Sequence, residues 1–112
     1  MRKIVFFAFR GDEMCFMHLV LNALDLHEKG YPGKIIMEGE AVTIIKKLEE
    51  GQNKLYLKAK ELGLFDCICK ACSAKLGVLE FNEGVGIPLK GDLQGHPAME
   101  EFMKDGYEII TL

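Results

Sequence analysis

Ile4-Val5-Phe6-Phe7-Ala8-Phe9 runs without a polar side chain, and Gly11-Asp12 interrupts it before a helical pattern over Glu13–Glu28. A short apolar run rich in β-branched and aromatic residues reads as a strand buried on both faces, the kind found in parallel sheets. The helix that follows it closes at Gly30, and Lys34-Ile35-Ile36-Met37 then repeats the strand pattern. Strand, helix and strand in that order require a crossover connection, and this one unit already points to α/β architecture.

The rest of the chain continues the alternation. Helices are expected over residues 40–50 and 54–62, the first with Ala41, Ile44, Ile45 and Leu48 on its buried face. A third strand is expected over 65–70 and a further helical segment over 72–76. Residues 85–89 read as a weak fourth strand, because Gly86 and Pro88 confine them to an edge. His96-Pro97 opens a short helix ending at Gly106, and residues 107–112 form the last strand. The expected fold is a three-layer α/β/α sandwich with a mainly parallel sheet of about five strands. With 112 residues and no repeat or linker, residues 1–112 are expected to form a single domain.

Composition narrows the function. Lys plus Arg number 14 against 17 for Asp plus Glu, so there is no basic surplus to neutralise phosphates and no nucleic-acid partner is expected. The longest apolar run is far shorter than the roughly 20 residues of a membrane span, and no signal-peptide pattern follows Met1-Arg2-Lys3. A cytoplasmic protein is therefore expected. In that reducing compartment the four cysteines read as metal ligands, reactive thiols or buried side chains rather than disulfides.

Three of the four fall in Cys67-Ile68-Cys69-Lys70-Ala71-Cys72, at the exit of the third strand, where α/β sheets gather functional groups. A thiol attacks as its thiolate, and Cys72, flanked by Lys70 and Lys75 in a loop, is the candidate nucleophile. Cys69 is placed to exchange with it. Cys67 is expected to share a sheet face with Phe65 and Cys69 and to act as a core side chain. His96 would lie at the same edge, although with Asp92 and Glu100 it also reads as turn capping. Glu38-Gly39-Glu40 would bring two carboxylates there, with helix capping as the plainer explanation. A second reading joins Cys15-x-x-His18 to Cys69-x-x-Cys72 as a zinc set of one nitrogen and three sulfurs. It requires the stripe of Cys15, His18, Asn22, Asp25 and Lys29 to turn toward the third strand.

The opening strand with Phe9-Arg10-Gly11-Asp12, the long helix, Lys34-Ile35-Ile36-Met37-Glu38-Gly39-Glu40 and the Cys69-Lys70-Ala71-Cys72-Ser73 segment together resemble the DsrE/DsrF-like family of small sulfur-relay proteins. The resemblance implies a parallel sheet flanked by helices and a persulfide carrier that works in homo- or hetero-oligomers with a sulfur donor or acceptor protein. It implies Cys72 as the sulfur-bearing residue, with Cys69 second and Lys70, Ser73, Lys75 and His96 in support. No cofactor is expected on this reading. The alternatives are the zinc protein and a non-catalytic oligomeric binding subunit whose cysteines only pack.

Overall fold

The first strand, β1 (Lys3–Ala8), is an interior strand of the sheet, as its unbroken apolar run requires: Val5 and Phe7 have no exposed surface. The computed structural model describes residues 2–112. After β1 come α1 (Glu13–Glu28), β2 (Gly33–Met37), a 3-10 turn (Gly39–Thr43), α2 (Ile44–Glu50), α3 (Lys54–Glu61) and β3 (Phe65–Cys69). The remainder is α4 (Lys70–Lys75), α5 (Leu79–Glu83), β4 (Leu89–Lys90), α6 (Glu100–Lys104) and β5 (Tyr107–Thr111). The sheet is five-stranded with order β4-β3-β2-β1-β5, and every pairing is parallel.

This order explains the two unequal faces. From β1 the chain steps outward through β2, β3 and β4, then returns across the sheet to place β5 on the other side of β1. Right-handed crossovers put the helices of the outward steps on one face and the helix of the return step on the other. On the first face Phe16, Leu19, Val20, Ile44, Ile45, Leu48 and Tyr56 pack over Ile4, Phe6, Ile35 and Met37. On the second, Val5, Phe7, Ile36 and Cys67 are covered by Phe102 of α6, with Met99, Tyr107 and Ile109 at the margin. One short helix thus closes an entire face.

Helix α1 begins at Asp12, whose side chain accepts the Met14 N–H. The 40–50 helix of the sequence reading is divided: its first turn is the 3-10 segment and only Ile44–Glu50 is α-helical. Helix α5 was not expected. The fourth strand is two residues long and overlaps the predicted segment only at Leu89, because Gly86 has a φ of +88° and Pro88 has no N–H to give the ladder. Proline 88 still serves the sheet through its carbonyl, which accepts the Ile68 N–H at 2.8 Å.

Strand β3 departs from simple alternation. Ile35 pairs with Phe65 but Ile36 pairs with Cys67, so Asp66 is an extra residue, a bulge that re-aims everything after it. Cys67 and Phe65 were expected on one face. They are on opposite faces: Phe65 belongs to the larger core, as does Cys69, which was also expected beside Cys67, and Cys67 packs with Val5, Phe7 and Ile36. Asp66 itself pairs with Lys90 at 3.0 Å across to β4.

Candidate functional site

Four chemically competent side chains converge beyond the carboxyl ends of β2 and β3. Glu38 directly follows β2, Cys69 ends β3, Cys72 lies in the first turn of α4, and His96 comes from the loop after β4. One donor atom from each lies within 4.8 Å of all the others. The Nδ1 of His96 is central: it stands 3.1 Å from Cys69 Sγ, 3.7 Å from Cys72 Sγ and 3.6 Å from Glu38 Oε1.

Local structure fixes each partner. Cys69 is the N-cap of α4, its sulfur accepting the Cys72 N–H at 3.4 Å, which holds the two cysteines in one orientation. His96 is presented by a tight turn, with Leu93 and His96 exchanging both backbone hydrogen bonds. Gln94 and Gly95 at its centre both have positive φ, 52° and 92°, as a type I′ turn requires. The Gly95 carbonyl accepts the Ala71 N–H at 2.8 Å, clamping the turn onto α4. A Cβ on Gly95 would lie 2.8 Å from the Ala71 Cβ. Gly95→Ala is therefore expected to lift the turn off α4 and free His96 from both thiols. NMR of the His96 ring should show loss of its contacts to Cys69 and Cys72 while the sheet resonances stay in place; an unmoved ring would refute this account of the clamp.

Glu38 is placed by a second close approach. Gly39 has φ +52°, and a side chain there would put a Cβ 2.9 Å from the Phe9 carbonyl oxygen. Glu38 makes no side-chain cap to the 3-10 turn that follows, so the capping explanation does not describe it. It is 7 % exposed, and burial raises its carboxyl above the usual range against the opposing pull of His96. Cys69 is fully buried, and desolvation pushes its thiol up to about 12, with a side-chain hydrogen bond to Cys72 acting in the same direction. Cys72 is half-buried and His96 half-exposed, so the cluster is open to solvent on their side.

The other candidates fall elsewhere. Cys15 and His18 do not join Cys69 and Cys72, and the four-ligand set built from them is not formed. Their stripe lines a cavity of about 410 Å³ with Phe6, Asn22, Ile110 and Leu112, on the β5 side of β1. β3 is two strands away on the opposite side, roughly 10 Å at ~4.8 Å per strand. The Cys15 thiol instead donates to the Asp12 carboxylate at 3.3 Å. Lys70 and Lys75 are exposed, and Ser73 is buried, its hydroxyl accepting from the Asn82 amide at 3.1 Å. The same amide donates to the Val42 carbonyl at 3.1 Å, tying α4 to the turn that carries Glu38. Ser73 is thus part of the frame. Cys67 is sealed in the second core, and burial pushes its thiol far up. Glu38, expected at this edge but with capping as its plainer explanation, is the fourth member of the cluster.

Comparison with known proteins places the chain among small α/β proteins. No family model matches the chain. A conserved protein of unknown function, BT1422 from Bacteroides thetaiotaomicron, has the same fold: its structure covers 98 % of this chain and 95 % of its own at TM-score 0.74 and 20 % identity. The uncharacterized protein MJ0733 from Methanocaldococcus jannaschii is 36 % identical over 96 residues, 86 % of this chain and 78 % of that one. An uncharacterized protein from Archaeoglobus fulgidus is 44 % identical over 50 residues, 45 % of this chain and 82 % of its own. The chain belongs to the family of MJ0733. Among the described residues no helix is long and apolar enough to cross a membrane.

Proposed function

We propose that the protein is a thiol-based sulfur carrier of the DsrE/DsrF type, with Cys72 as the residue that receives and hands on a persulfide sulfur. The observation that supports this is the pairing of a half-buried thiol, Cys72, with a buried one, Cys69, beside a single histidine nitrogen. In the loading step His96 Nδ1 takes the Cys72 proton and the thiolate attacks the outer sulfur of a donor persulfide. The donor S–S bond breaks, its thiolate leaves with the proton, and Cys72 holds the sulfane sulfur. An acceptor thiolate reverses these roles, attacking the outer sulfur and releasing Cys72. Cys69 keeps its proton well above neutral pH, with the Gly95 carbonyl 3.8 Å from its sulfur as an acceptor, which leaves Cys72 as the attacking thiol.

Intact-mass measurement after incubation with a low-molecular-weight persulfide tests this. One added sulfur per chain is expected in the wild type and in Cys67→Ser, and none in Cys72→Ser. An adduct that persists in Cys72→Ser overturns the assignment. The reading includes a donor or acceptor protein and self-association of the carrier; sedimentation as a lone monomer at micromolar concentration would count against the latter.

A further inference from the structure

The four-residue cluster has a second chemical capacity, and it does not depend on sulfur transfer. Two thiols, an imidazole nitrogen and a carboxylate oxygen form the donor set that borderline-soft divalent cations select over magnesium or calcium. Around a tetrahedral zinc ion, bond lengths of about 2.3 Å to sulfur and 2.0–2.1 Å to nitrogen or oxygen set ligand-to-ligand separations of about 3.4–3.8 Å. The separations about His96 Nδ1 are 3.1, 3.7 and 3.6 Å, and no pair in the set exceeds 4.8 Å. A cation could enter with only small side-chain movements.

The frame favours the same conclusion. Local backbone holds the ligands: Cys69 by its cap on α4, Cys72 by its N–H on the Cys69 sulfur, His96 by the clamped turn, Glu38 by the approach of Gly39 to Phe9. A carboxylate and a thiol are buried side by side, where the charged forms are costly without a counter-ion. A divalent cation supplies it: two thiolates and one carboxylate bring three negative charges against two positive. The half-exposed His96 and Cys72 leave an entry path.

We propose that Cys69, Cys72, His96 and Glu38 bind one zinc-class divalent cation as a complete four-ligand site. The bound ion occupies both thiolates, so metal and persulfide exclude each other at Cys72. Binding displaces both thiol protons, and affinity therefore rises with pH.

Zinc and cobalt titrations of chelator-treated protein test this. One equivalent of zinc per chain is expected, shielding Cys69 and Cys72 from alkylation and leaving Cys15 reactive. Cobalt should give thiolate charge-transfer absorption with the intense visible bands of a tetrahedral ion. Cys72→Ser and His96→Ala should weaken binding by more than the roughly 10- to 100-fold that loss of an outer-shell partner costs, and Glu38→Gln by about tenfold or more. Cys15→Ser and His18→Ala should leave it unchanged. Octahedral cobalt spectra, zinc well below one equivalent, or indifference to Glu38→Gln or His96→Ala would overturn the site. The sulfur-loading measurement is separate: protein that binds zinc but takes up no sulfur sinks the carrier reading alone.

Discussion

Truncating Phe7 to alanine is expected to cost about 3–5 kcal/mol of folding stability, the most of any single change considered for this protein. Phe7 is fully buried at the centre of the smaller core, and its ring meets Phe102 edge-on at 6.0 Å. That face has no second helix to close over a void, since only α6 covers it. Urea unfolding should show the loss, and hydrogen exchange should show the α6 amides opening well before those of α1. Phe102→Ala acts on the same contact, so the two losses should be non-additive, with a coupling of about 0.5–3 kcal/mol in a double-mutant cycle. A loss below about 1.5 kcal/mol with α6 still protected would mean that this face is not held by the pair.

The second large effect is alkaline. The folded protein keeps the Cys69 proton up to about pH 12, whereas an unfolded thiol releases it near 9.0; Cys67 is held still more strongly by desolvation. Between those limits the folded state binds more protons than the unfolded one, so stability is fully present below pH 9.0 and falls as pH rises. Each thiol contributes a slope approaching roughly 1.4 kcal/mol per pH unit. Above pH 10 the buried Tyr56 hydroxyl, also raised by burial, adds to the decline, so the clean window for the thiols is pH 9–10. Urea midpoints of metal-free protein should fall steeply across that window, and Cys67→Ala should roughly halve the slope. A midpoint that stays level from pH 8 to 10 would contradict the burial of both groups.

What sequence could reveal here divides along a physical line. Helix α1 was legible to its limits because its signals are local: an aspartate N-cap at one end and a glycine, Gly30, just past the other. The strand cores of β1 and β2 were equally plain from their apolar runs. The exit of β3 was legible as a meeting place of side chains because parallel sheets gather loops there, and Cys69, Cys72 and His96 do meet at it. What was not legible depends on residues far apart. The Cys15 stripe faces β5 because the sheet order turns back at β1, and no spacing within α1 records that. Cys67 changes face because of one inserted residue, Asp66, visible only through its pairing with β2. Glu38 looks like a cap in its own neighbourhood and becomes a site residue only when a histidine from the β4–α6 loop arrives beside it. Helix α5 is too short for any period to announce it.

The position of β5 sets the timetable of assembly. Lys3 pairs with Tyr107, and the Phe9 N–H is bound by the Leu112 carbonyl at 2.7 Å, so β1 waits roughly a hundred residues of synthesis for one of its two neighbours. Until then its edge is an open ladder of unpaired N–H and C=O groups on a strand with apolar side chains, the kind that recruits strands from other chains. Nascent chains stalled before β5 should therefore associate with one another or with chaperones, and chains that carry β5 should not.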